Sequence, residues 1–115
     1  MDDETNYTFS HVNFFSVTMN SKALIMSSHR NLTIEYCRFT DVICNGNEND
    51  SSIIHYDSGD NKRSLIINKS SFSNIITNGP IIKIKGEHNN VTINLLEINN
   101  VNSYGPLIEN TSLNV

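Results

Sequence analysis

Five positions recur four times along the chain with steps of two, three, two and three residues. They are Tyr7, Phe9, Val12, Phe14 and Val17; Leu32, Ile34, Cys37, Phe39 and Val42; Leu65, Ile67, Ser70, Phe72 and Ile75; and Val91, Ile93, Leu96, Ile98 and Val101. A helix cannot use such spacing. At ~100° per residue the five positions fall near 0, 200, 140, 340 and 280°, all round the cylinder. Two short strands that alternate in and out, joined by a corner, place all five on one side.

A third apolar run follows each set, at Leu24-Ile25, Ile53-Ile54, Ile81-Ile82 and Leu107-Ile108. The last two are introduced by the turn signals Gly79-Pro80 and Gly105-Pro106. Each repeat therefore predicts three short strands. The whole reads as an all-β, right-handed parallel β-helix of about four coils, with successive coils about 4.8 Å apart.

At 115 residues, the chain forms one domain over residues 1–115. A four-coil stack leaves strand edges and apolar rows open at both ends. The segment is therefore expected to belong to a longer repeat protein or to self-associate through an end. The Met-Asp-Asp-Glu start is not a signal peptide, and no apolar run is long enough to span a bilayer. Eight Lys and Arg against twelve Asp and Glu give a net charge of −4, so no basic footprint for nucleic acid or anionic membrane is present. Sequons at Asn6, Asn31, Asn49, Asn68, Asn90 and Asn110 point to a secreted protein, although an Asn- and Ser-rich chain generates several by composition.

Parity orients the third strand. Lys83 and Glu109 are poor core residues, so their parity faces out. Ile25, Ile54, Ile82 and Ile108 then face in, followed by Ser27, Tyr56, Ile84 and Asn110. Leu24, Ile53, Ile81 and Leu107 become an outward aliphatic stripe, unless a corner or a loop covers them. Outward positions of the second strand include Asn13, Arg38, Ser71 and Glu97, while Asp41, Asn74 and Asn100 form a corner column suited to structural hydrogen bonds. The longest coil carries two extra loops, Asn45–Ser51 and Asp57–Arg63, which frame the strand Ser52–Tyr56.

Chemistry is sparse. Asp57, Asp60, Glu48, Asp50 and Arg63 are the candidate acids and base, all in or beside those loops, in no catalytic pattern. No catalytic residue is assigned, and the chain is not expected to be an enzyme. Asn45, Asn47, Glu48, Asn49 and Asp50 offer oxygen ligands without the carboxylate density of an EF-hand, so neither metal nor cofactor is expected. His11, His29, His55 and His88 are scattered, with no spacing that suggests a nucleophile–base pair. Cys37 and Cys44 are suited either to a disulfide around Thr40-Asp41-Val42 or to small buried positions.

With the coils aligned, the chain resembles the right-handed parallel β-helix repeats of pectin-lyase-like and polymorphic outer-membrane proteins. The elements that carry the likeness are Asn31-Leu-Thr-Ile with Cys37-x-Phe39, Ser64-Leu-Ile-Ile with Ser71-Phe72-Ser-Asn74, and the Gly-Pro-Ile/Leu-Ile entries. Its Asn/Ile/Ser-rich repeats, two cysteines and sequons are also similar to scaffoldin repeats of anaerobic gut fungi. That resemblance implies a secreted, non-catalytic cohesin that holds the dockerin domains of cellulosomal enzymes. The expected partner surface is the third sheet: Leu24, Ile53, Ile81 and Leu107, assisted by His55, Lys83 and Glu109. Neighbouring repeats of the same chain are the other expected partner. A carbohydrate-binding or carbohydrate-acting β-helix is the alternative, and it would call for outward aromatics, which are scarce.

Overall fold

In the computed structural model, which describes residues 6–20, 23–46, 52–60, 62–87, 89–103 and 105–111, every strand pairing is parallel and links equivalent positions of successive coils. The strands are β1 (Asn6–Ser10), β2 (Asn13–Met19), β3 (Ala23–Ser28), β4 (Asn31–Glu35), β5 (Arg38–Cys44), β6 (Ser52–Asp57), β7 (Arg63–Thr77), β8 (Ile82–Lys85), β9 (Asn89–Ser103) and β10 (Ile108–Asn110). One face stacks β1, β4 and the first halves of β7 and β9. A second stacks β2, β5 and their second halves, and the third stacks β3, β6, β8 and β10. The result is the expected parallel β-solenoid of about four turns.

The recurring steps of three have a single physical cause. A residue in the left-handed backbone region turns the chain and returns the next side chain to the interior. His11, Tyr36, Lys69 and Leu95 do this at the first corner, with φ of 58, 55, 52 and 57°. Ser16, Asp41, Asn74 and Asn100 do it at the second, with φ of 56, 56, 54 and 57°. A one-residue corner need not end the ladder. β7 and β9 therefore run through their corners as 15-residue strands, so that coils three and four each have one long strand and one short one where three short ones were expected.

The recurring rows form the core. Phe14, Phe39 and Phe72 stack face to face, with ring centroids 4.8 and 4.6 Å apart, close to the coil spacing. Leu32, Ile34, Val42, Leu65, Ile67 and Ile75 complete the buried rows of the two central coils. Each such side chain contributes roughly 1.5–3 kcal/mol by leaving water.

At the third corner the chain turns at His29, Gly59 and Gly86. Two glycines are required there. A Cβ on Gly59 would lie 2.5 Å from the His29 ring, and one on Gly86 would lie 1.9 Å from Ser58 Oγ. Arg63 is buried and donates from Nη1 to the Ser58 carbonyl at 2.6 Å, tying the start of β7 to the third corner. Asn89 Nδ2 donates to Ser58 Oγ at 3.3 Å and to the Lys85 carbonyl at 3.2 Å.

The structure corrects one expectation and decides between two alternatives. Ile53 and Ile81 do not face outward; both are fully buried. The amides of Ile53 and Ile54 both donate to the Ile81 carbonyl, at 3.1 and 2.8 Å. Those of Ile81 and Ile82 converge in the same way on the Leu107 carbonyl, at 2.8 and 3.3 Å. Adjacent amides that share one acceptor mark a bend. The pleat is broken there, and two neighbouring side chains can both turn inward. Of the two alternatives open for the cysteines, the small buried positions are the ones seen: Cys37 and Cys44 are unbridged and buried. Cys37 immediately precedes β5 and Cys44 ends it, with the second corner between them at Asp41. Their thiols instead donate to backbone carbonyls, Cys37 to Phe9 at 3.3 Å and Cys44 to Ser52 at 3.3 Å.

Candidate functional site

The first corner positions an open surface concavity. Its left-handed residues point away from the core and form one wall: His11, Tyr36, Lys69 and Leu95, one from each coil. The outward column of the second face forms the other: Asn13, Arg38, Ser71 and Glu97. Between them lies an open groove of about 760 Å³ that crosses all four coils.

Its wall is ordered by stacking. The His11 and Tyr36 rings lie 4.7 Å apart and nearly parallel, at 8°. Lys69 Nζ sits 5.3 Å from the Tyr36 centroid and donates to the Tyr36 hydroxyl at 3.2 Å. His11 Nδ1 and Ser10 Oγ are 2.9 Å apart, which fixes the imidazole further. Arg38 and Lys69 bring positive charge to the middle coils, Glu97 brings negative charge to the fourth, and Leu95 is 63% exposed. The groove thus offers two cations, an anion and an aliphatic side chain in a fixed order.

Beyond the second corner lies a shallower depression of about 300 Å³, with an aliphatic floor at Ile43 and Ile76. Asp41, Asn74 and Asn100 form its rim, with Asn100 Nδ2 donating to Asn74 Oδ1 at 2.7 Å. This is the corner column expected from the sequence, but its hydrogen bond runs between two side chains and not from a side chain to free backbone.

The third face brings together only part of the expected partner surface. Register aligns Met26, His55, Lys83 and Glu109 in one column. His55 is nearly buried, at 7% exposure, while Lys83 and Glu109 are half-buried. Of the aliphatic stripe, Leu24 is half-buried and Leu107 is exposed, each in an end coil. Burial of Ile53 and Ile81 removes the middle of the stripe.

The loop candidates separate as well. Asp57 accepts from the Gly59 amide at 2.9 Å, an internal turn contact, and Arg63 is engaged with Ser58. Asn47, Glu48, Asn49 and Asp50 lie outside the described residues, as does His88. Among the described residues no group of three His, Cys, Asp or Glu side chains is placed to hold a metal ion. Tyr56 lies in the core with its hydroxyl unpartnered among the described residues, and its pKa is pushed up to about 12. Burial is the main cause; nearby Arg63 pulls the value down and Asp57 pushes it up.

Two sequon asparagines serve the fold. Asn31 Nδ2 donates to Asn6 Oδ1 at 2.8 Å, and Asn31 Oδ1 accepts from the Ser64 amide at 2.8 Å. Asn6, Asn31, Ser64 and Asn90 share one register column, so three of the six sequons restate a single repeated position.

No family model, curated protein or solved structure matches this chain.

The groove was not assembled from the sequence. Its outer wall was read correctly as the outward column Asn13, Arg38, Ser71 and Glu97. Its inner wall was missed. The signal was available: the first step of three in each repeat requires a turning residue, just as the second does. The second is legible because Asp and Asn announce corners, whereas Tyr36, Lys69 and Leu95 do not.

Proposed function

We propose that this chain is a non-catalytic protein-binding scaffold module that receives its partner in the first-corner groove. The observation that carries the reading is the saturation of Tyr36. His11 stacks on one face of its ring and Lys69 Nζ sits over the same ring, so the Tyr36 faces on which a sugar would stack are already engaged, although the side chain is 42% exposed. What remains available to a ligand is a fixed pattern of guanidinium, ammonium, carboxylate and aliphatic side chain. A folded protein surface complements such a pattern through paired charges around an apolar contact.

The scaffoldin resemblance makes small dockerin-type domains the first partners to try, in a secreted setting. The third-face column His55, Lys83 and Glu109, with Leu24 and Leu107 at its ends, becomes a secondary surface. The carbohydrate alternative rests on one observation: Phe15 is an outward aromatic, 66% exposed, on the second face.

Calorimetric titration of a panel of dockerin-type domains and soluble plant polysaccharides separates the two readings. We expect a protein ligand whose affinity collapses in the Arg38→Glu, Lys69→Glu double variant while the circular dichroism spectrum is retained. Polysaccharide binding that is lost in Phe15→Ala and unaffected by the charge reversals would replace this reading with the carbohydrate one.

A further inference from the structure

The two ends of the solenoid carry the same columns as the coils between them. Among the described residues each terminal coil is laddered on one side only: β1, β2 and β3 to the second coil, and β9 and β10 to the third. Their core rows are correspondingly uncovered. Ile98 and Ile108 are both 38% exposed, whereas Phe72 and Ile82, directly above them in the same columns, are fully buried. At the other end Phe9, Val12, Phe14 and Val17 are only half-buried, while Ile34, Cys37, Phe39 and Val42 below them are fully buried.

We propose that the two ends are complementary interfaces, and that the C-terminal coil of one copy of this chain stacks on the N-terminal coil of the next, head to tail. This inference is independent of the groove reading. The register is set by the columns: Val91 against Tyr7, Ile93 against Phe9, Leu96 against Val12, Ile98 against Phe14 and Val101 against Val17 of the next copy. Every such contact repeats a type already present within the chain. Asn90 would meet Asn6 as Asn31 does, in the amide pair seen at 2.8 Å.

Charge permits the joint. Across it Glu97 faces Asn13 and Glu109 faces Met26, and among the described residues no aligned pair brings like charges together. Symmetry fixes its direction. Turning one copy over would reverse its strands and replace the three-sided outline by its mirror image, so the columns would no longer superpose. The interface is therefore heterologous, and an association of this kind grows as an open series instead of closing at a dimer. The free strand edges supply backbone hydrogen bonds in the same step.

The test uses sedimentation velocity on the intact chain over a wide range of concentration. We expect the mean mass to rise with concentration past the dimer without a plateau. Thr8 and Thr92 provide the control, because both are exposed, face outward and become neighbours only across the joint. Thr8→Glu with Thr92→Glu places like charges there and should weaken association. Thr8→Glu with Thr92→Lys should restore it, the two variants differing roughly two- to tenfold in association constant. Far-ultraviolet circular dichroism and thermal melting establish that both variants remain folded. A chain that stays monomeric throughout, a series that stops at two copies, or two charge variants that associate equally would each overturn the proposal.

Discussion

The second and third coils differ from the first and fourth in environment far more than in sequence. All four carry the same columns in the same register, yet aliphatic and aromatic side chains that are sealed in the middle are half-covered or exposed at the ends. In a solenoid a residue's contribution depends on having a coil on both sides, so stability is a sum of coil and interface terms and not a property of one enclosed core. A column of near-identical residues should therefore show a gradient of energetic worth from centre to edge.

The largest test of that gradient uses the aromatic column. Phe72→Ala in the third coil should cost roughly 3–5 kcal/mol in urea unfolding, because it opens a cavity beneath Phe39. Ile98→Ala, in the same column one coil on, should cost less than about 2 kcal/mol in dilute solution, since much of its surface already faces water. Equal costs in dilute solution would break the comparison. A cost for Ile98→Ala that grows with protein concentration would sharpen it, by showing that a second copy covers that end.

Glycines extend the comparison to the turns. Gly86 and Gly105 both have positive φ, at 116 and 90°. A Cβ at Gly86 meets Ser58 in the stacked third corner, whereas at Gly105 it meets nothing within 4 Å. Gly86→Ala should therefore lose about 1–3 kcal/mol through backbone strain, with a further loss from the clash. Gly105→Ala should lose only the smaller cost of the backbone conformation, about 1 kcal/mol. Thermal melts of the two variants, compared side by side, provide the check.

The smallest effect at neutral pH concerns Tyr56, whose hydroxyl is buried in the second coil. Replacing it with Phe removes a polar atom that has no partner among the described residues, so stability at pH 7 should be unchanged or slightly higher. The difference should appear in alkali. The native phenol ionises near pH 12, while an unfolded one ionises near pH 10. Between these values the unfolded chain holds fewer protons, so the wild type loses stability as pH rises, by at most about 3 kcal/mol. Tyr56→Phe should lack that part of the decline. Parallel alkaline profiles for the two proteins would show that Tyr56 is not sealed as the central coils require.

Much of this was legible in the residues, for a definite reason. In a parallel solenoid every coil solves the same packing problem, and four repetitions of Leu32, Ile34, Cys37, Phe39 and Val42 report one solution four times. The register of β4 on β7, and of β7 on β9, follows directly from those positions. The candidate site was less legible. Its two walls come from columns whose members are 25, 33 and 26 residues apart and have unlike chemistry: His, Tyr, Lys and Leu on one side, Asn, Arg, Ser and Glu on the other. A column built of dissimilar residues leaves no pattern in one dimension.

What the sequence determined by itself was the period, the parity of the first two strands and hence the stacked parallel architecture, because burying one side of an alternating chain admits few arrangements. Only the tertiary structure decided what happens where alternation fails. Parity assumes an extended pleat, and at Ile53 and Ile81 adjacent amides converge on one carbonyl in the coil below, turning both side chains inward. Parity likewise does not show that Tyr36 becomes the middle of a stack between His11 and Lys69, since that depends on three separate coils placing their turning residues one above another. Local pattern governs which way a side chain points along a strand; at a bend or a corner, the neighbouring coil decides.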